Sequence, residues 1–251
     1  MLAKYWSQYI SGGVHPADER FINASNSLRW KWPIGKRRTQ TWGSDTSLHG
    51  LLHLNLFPQP FVGNISTASV YLLMANPGLS LADYDDDFNN QDHAAASEAN
   101  LRQEGIGFYP LLARSDGTGA AKYWRGKFKS LQKDLSSRMD VSLDSARELL
   151  VRELAVVEAG PYHSKNFPGD WCDRLPTSRA ARSFVRQVVL PRAARGDAFV
   201  LVLRRASFWR IPPGQRGVTY RSPKKAQLSN FLGSEREAMA DFLVHKLRGD
   251  I

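Results

Sequence analysis

The sequence predicts an α/β fold, a three-layer sandwich around a central, mainly parallel four-stranded sheet. Two observations predict it. Short continuous apolar runs recur along the chain, each stopped by a turn or by paired arginines, as in strands covered on both faces. Between the runs lie longer stretches whose apolar residues recur at helical spacing.

The elements follow in chain order. Residues 1–67 form an irregular N-terminal portion packed on the rest, with a short helix near Lys4–Ile10. A Trp-, Gly- and Pro-punctuated stretch from Arg29 to Gly63 has no clean period and reads as loop and short helix. Ala68–Ala75 is a buried strand stopped by Asn76-Pro77-Gly78. Tyr123, Trp124, Phe128, Leu131 and Leu135 place a helix over Ala120–Ser137, and Ser142–Leu150 forms another. Leu154–Ala159 is the second strand, stopped by Gly160-Pro161. Thr177–Leu190 is a helix with Thr177 as its N-cap, followed by a third strand in Asp197–Leu203. Ser234-Glu-Arg-Glu237 reads as a capping box ahead of a last helix carrying Met239, Phe242, Leu243 and Leu247. No repeat or linker divides the chain, so residues 1–251 are expected to form one domain with its α/β core over 68–248.

Composition narrows the class. A chain of 251 residues, 42% hydrophobic and 23% charged, buries a real core, which excludes disorder throughout. Its single cysteine, Cys172, excludes an intrachain disulfide and a four-cysteine cluster, and fits a reducing cytoplasm. The opening MLAKYWSQYISGG has no signal-peptide run and no stretch reaches the length of a membrane span, so no membrane association is expected. Thirty-four Lys and Arg against 24 Asp and Glu give a net charge of +10, which favours a polyanionic partner.

In such folds ligands bind beyond the carboxyl ends of the strands, here after Ala75, Ala159, Leu203 and Tyr220. Pro77 fixes φ and Gly78 permits a positive φ, so the first turn is sharp and brings backbone close to anything bound. The Asn76 amide both donates and accepts, as holding a water requires, although the tripeptide also reads as an ordinary turn. Asp83, Asp85, Asp86 and Asp87, with Asp92 and His93 nearby, lack the spacing of a calcium loop and read as a solvated, mobile loop. A metal-dependent nuclease built on them is one alternative. Phe108 or Tyr109 is the candidate for stacking on a base, while Trp124 goes to the core. Glu158, Tyr162, His163 and Ser164 read either as pocket lining or as a hydrogen-bonded loop. No nucleophile elbow and no second His at ligand spacing accompany them. Lys165 leaves a lysine nucleophile open.

The charge is concentrated late in the chain. From Arg174 to Lys225 there are thirteen Lys or Arg and one acid, Asp197, interleaved with Phe208, Trp209 and Tyr220. Arg204, Arg205 and the run Tyr220-Arg221-Ser222-Pro223-Lys224-Lys225 are candidate phosphate contacts.

Three features in order resemble the uracil-DNA glycosylase superfamily, most nearly its mismatch-specific branch. The strand ending in Asn76-Pro77-Gly78 resembles that branch's Gly-Ile-Asn-Pro-Gly, with Met74-Ala75 in place of the first two residues. Phe108-Tyr109-Pro110 with Tyr123-Trp124-Arg125 is similar to its Phe-rich segment and following helix. Tyr220-Arg221-Ser222-Pro223, then Leu228, Phe231, Leu232 and Gly233, is similar to its His-Pro-Ser-Pro-Leu-Ser loop and trailing aromatics. The resemblance implies a four-stranded parallel sheet with a nucleotide flipped into a pocket at its carboxyl edge. It implies that Asn76 positions the attacking water, that Ala75, Pro77 and Gly78 with an aromatic ring hold the base, and that the last loop grips phosphate and wedges the stack. There Tyr220 or Arg221 replaces the family's His, and Lys224 stands where a Leu wedge belongs, with Leu228 as its substitute. Glu158 falls where some branches keep a base-reading Asn; a carboxylate accepts from an amine such as cytosine N4. The expectation is therefore a monomeric cytoplasmic DNA glycosylase without metal or organic cofactor. It acts on double-stranded DNA and removes a damaged or modified base, with modified cytosine of phage DNA as an antiviral target. A non-catalytic nucleic-acid-binding module on the same fold is the alternative.

Overall fold

The computed structural model describes residues 1–7, 9, 13–23, 29–30, 52–105, 107–166, 173–222 and 230–249. Strands β1 (Arg29–Trp30) and β2 (Leu52–His53) form a small parallel pair. The main sheet consists of β3 (Phe61–Val62), β4 (Val70–Met74), β5 (Leu154–Glu158), β6 (Phe199–Val202) and β7 (Val218–Tyr220). Its order is β3-β5-β4-β6-β7. The last four strands in that order run parallel, as expected, and β3 adds an antiparallel edge.

That fifth strand comes from the N-terminal portion. Two residues are too few to show a period, so it leaves no pattern in the sequence. Gly63 closes it at φ +92°, where a Cβ would lie 2.4 Å from the Leu154 carbonyl oxygen. Only glycine fits so close a backbone.

All five residues of β4 and all five of β5 are buried, which is why both strands read as continuous apolar runs. Alternate residues serve opposite layers. Tyr71, Leu73, Ala155, Val157, Val200 and Val202 face one core. Helices α1 (Leu2–Trp6), α7 (Pro176–Phe184) and α8 (Leu190–Arg195) cover it through Leu2, Trp6, Ala181, Phe184 and Ala193. Val70, Leu72, Leu154, Val156 and Leu201 face the other core. There α5 (Gly119–Met139), α6 (Leu143–Glu153) and α10 (Gly233–Arg248) contribute Phe128, Leu131, Leu150, Met239 and Leu243. The three-layer sandwich is the result. Among the described residues no helix is long and apolar enough to cross a membrane.

Two caps differ from expectation. Leu175, not Thr177, is the N-cap of α7. Thr177 donates its backbone N–H and its hydroxyl to Asp18 of α2 (Pro16–Asn23), a fully buried carboxylate that also accepts from the Tyr162 hydroxyl. A distant aspartate thus does the work of a cap and fastens the N-terminal portion to α7. The predicted helix through Leu190 is interrupted by a π-turn at Val185–Val189, because Pro191 brings no N–H to the helix. At α10 the N-cap is Leu232, and Glu235, not Glu237, accepts its backbone N–H at 2.9 Å.

The acidic segment is the largest departure. It is not a loop: Asp83, Asp85, Asp86 and Asp87 lie in α3 (Leu81–Asn89), which leads into α4 (Gln91–Arg102). Three of its four carboxylates accept from backbone donors. Asp83 accepts from Ser80 N–H, Asp86 from Gly119 N–H at 2.7 Å, and Asp87 from Phe57 N–H at 2.7 Å. Each satisfies an orphan amide at a helix start or in a loop.

Candidate active site

A cleft of about 530 Å³ opens at the carboxyl ends of β4, β5 and β6. The loop after β4 supplies Ala75, Asn76, Pro77 and Gly78, β5 and its loop supply Glu158, His163 and Lys165, and the loop after β6 supplies Arg204. The start of α5 closes one side with Tyr123 and Trp124, and Gln59 of the N-terminal portion closes another. Three separate strand ends converge here because parallel strands all deliver their loops to one edge.

Asn76 is held by its amide. Its Nδ2 donates to the backbone carbonyl and to the hydroxyl of Ser164, both at 3.0 Å. With the amine end fixed on the β5 loop, the carbonyl oxygen is the acceptor the side chain still offers to the cleft. His163 fixes the same turn from below. Its Nδ1 lies 2.9 Å from the Gly78 carbonyl oxygen and its Nε2 3.1 Å from that of Phe57. The ring thereby ties the Asn76-Pro77-Gly78 turn to the N-terminal portion, as a positioning residue.

Glu158 occupies an unusual position. Strand alternation turns it toward the same layer as Leu154 and Val156, where an apolar side chain would complete the core. Instead its carboxyl faces the cleft with 5% exposure, and Oε2 is buried without a hydrogen-bond partner. Burial pushes the Glu158 pKa well above the ordinary carboxylate value, and the nearby Arg204 charge only partly opposes it. Burial therefore favours the protonated form of the group, which can donate as well as accept.

This has a stability consequence with a definite sign. A carboxyl whose pKa is raised by folding takes up a proton when the chain folds, so its contribution is fully present in acid and lost as pH rises through the folded value. Gln at this position has the same shape and does not titrate. The melting temperature of Glu158→Gln is expected to exceed that of the parent, by a margin that widens over the range above the ordinary carboxylate pKa. Melting curves that stay parallel across that range would show that Glu158 is not buried as described.

Other predicted residues lie elsewhere. Phe108 and Tyr109 are fully buried under α5 and do not line the cleft; Phe108 packs edge-on against Trp124 and Phe128. A ring locked in the core cannot stack on a ligand. Tyr162 is also core, its hydroxyl bound to Asp18 at 2.7 Å. Arg221 is no phosphate contact: it is 5% exposed and forms a two-pronged ion pair with Glu235, at 2.9 and 2.5 Å. Tyr220 and Ser222 are exposed, and Arg205 is half-buried at the start of α9 (Ala206–Trp209). Pro223, Lys224, Lys225 and Leu228 lie outside the described residues. Much of the basic stretch is engaged in the fold. Arg182 and Arg210 meet Asp173, Arg195 meets Asp197, and Arg192 holds the Tyr71 hydroxyl.

The aromatic ring at the cleft is Tyr123, 43% exposed, with Trp124 behind it. The sequence hid it because aromatics at helical spacing read as core. One turn further along α5, Lys127 lies over the rings of Tyr123 and Phe231. Burial, aided by the Arg221 and Arg204 charges, lowers its pKa to about 8. Among the described residues no three His, Cys, Asp or Glu side chains gather as ligands for a metal ion.

No family model, no curated protein and no solved structure matches this chain.

Proposed function

We propose that the protein is a DNA glycosylase that takes a flipped-out base into this cleft and hydrolyses its N-glycosidic bond, leaving an abasic site. The observation that carries the reading is the convergence of Asn76, Glu158 and Tyr123 on one cleft at the carboxyl edge of a parallel sheet. Such a hydrolysis passes through an oxocarbenium-like sugar, so it needs a positioned water and a site that accepts the leaving base. The Asn76 carbonyl, held by Ser164, holds the water. Tyr123 stacks on the base, and the Glu158 carboxyl, backed by Arg204, meets its polar edge. The base is of the cytosine type, because Glu158 answers an exocyclic amine and a ring nitrogen together. The excess of basic residues supplies the grip on duplex phosphates.

Incubation in EDTA with DNAs carrying uracil, mismatched thymine, or hydroxymethylated or glucosylated cytosine, followed by hot alkali, tests this reading. Alkali-dependent breaks confined to a cytosine derivative are expected. Absence of breaks in every DNA, with salt-sensitive binding intact, would favour a binding module without catalysis. Breaks without alkali in a parallel incubation with Mg²⁺ in place of EDTA would favour a nuclease.

A further inference from the structure

Glu158 offers more than recognition. Its Oε2 is an unpartnered, buried polar atom in the wall of the cleft, and the guanidinium of Arg204 lines the same cleft. Resting on the glycosylase reading, we infer that Glu158 is a catalytic general acid that protonates the departing base at the ring nitrogen beside its exocyclic amine. In its protonated form the carboxyl fits a cytosine-type edge on both sides: its O–H donates to N3 and its carbonyl accepts from the N4 amine. As the bond between C1′ and N1 lengthens, the electron pair of that bond stays with the base. The Glu158 proton moves to N3, so the base leaves as a neutral tautomer rather than as an anion. Water held at Asn76 adds to C1′, its surplus proton passes to solvent, and solvent returns a proton to Glu158. Atoms and charge balance without a metal or a co-reactant.

Uracil gives no such path. Its N3 already carries a hydrogen, so it has no lone pair there to receive the proton. Arg204 steadies the carboxylate while it is ionised. Tyr123 on α5, which faces both groups, and Lys127 one turn on add no carboxylate to compete for the proton. Asp83, Asp87, His93, His163 and Lys165 also line the cleft. The two aspartates accept from the Ser80 and Phe57 amides, Asp87 also meets His93 at 3.4 Å, and His163 lies against two carbonyls with Asp83 4.0 Å from its Nδ1.

Three measurements on the full chain test the inference. Infrared difference spectra of the protein against Glu158→Gln at neutral pH are expected to show the stretch of one protonated carboxyl. That readout needs no substrate. Single-turnover cleavage of the cytosine-type DNA is expected to fall about tenfold per pH unit in the alkaline range and by about 10²-fold or more in Glu158→Gln, whose own profile is flat. DNA whose target base carries C–H in place of N3 is expected to bind but to be cut as slowly by the parent as by the variant. A missing carboxyl band, or normal cleavage of the N3-less base, overturns the general acid and leaves the glycosylase reading standing. A carboxyl band with no cleavage of any base overturns the glycosylase reading and the acid role with it.

Discussion

Asn76→Ala is expected to slow abasic-site formation by about 10²-fold or more while DNA affinity changes by less than about threefold. The asymmetry follows from where the side chain sits. Its Nδ2 is fixed on Ser164, inside the cleft, and makes no contact that a phosphate would share. Removing it frees the water without altering the surface that grips DNA. Ser164→Ala removes one of the three acceptors around the amide and leaves the backbone carbonyls of Ser164 and Pro77, so a smaller loss of rate is expected. Asn76→Asp is expected to fail as Ala does, because a carboxylate has no hydrogen to give Ser164 and would face its carbonyl oxygen. Single-turnover rates and equilibrium binding, measured on the same DNA, separate these outcomes. A rate for Asn76→Ala equal to that of the parent would remove Asn76 from the mechanism.

Arg221→Ala is expected to cost about 3–5 kcal/mol of stability, because it strands the Glu235 carboxylate with 3% exposure. For a chain of this size that corresponds to a drop in melting temperature on the order of 10 °C. The pair joins β7 to α10: Arg221 also donates its backbone N–H to Val202 and a guanidinium N–H to the Asn230 carbonyl. Burial acts to raise the Glu235 pKa, but hydrogen bonds from Arg221 and the Leu232 amide outweigh it and hold it below the usual carboxylate value. A depressed pKa stabilises the fold above the unfolded value, and that stability is lost as pH falls through the folded one. The gap between parent and variant is therefore expected to close in acid, below about pH 4. Replacing both partners with apolar residues, Arg221→Met with Glu235→Leu, is expected to recover most of the loss. Thermal melts across pH check all three statements, and an unchanged melting temperature in Arg221→Ala would contradict the buried pair.

What the sequence revealed and what it hid have physical causes. Val70–Met74, Leu154–Glu158 and Phe199–Val202 were legible because strands buried on both faces leave unbroken apolar runs. The site was legible to the same degree. Asn76, Gly78 and Arg204 follow such a run within a few residues and Glu158 ends one, and parallel strands bring their ends together. Helix α3 was not legible, since its four aspartates mask any apolar stripe and only the fold shows the amides they satisfy. Charge counting placed Arg221 on the surface because its partner, Glu235, lies fourteen residues away and across a turn. Phe108 and Tyr109 misled for the opposite reason. They sit in an irregular segment, yet the short 3₁₀ turn at Tyr109–Leu111 is pressed beneath α5 and belongs to the core.

Mass spectrometry of the small-molecule fraction, after incubation of the protein with a cytosine-modified duplex in EDTA, tests the central claim most directly. The account predicts a free cytosine-type base in amounts equal to the abasic sites, from the parent and not from Asn76→Ala. Intact DNA with no free base, or free base released equally by Asn76→Ala, would contradict it.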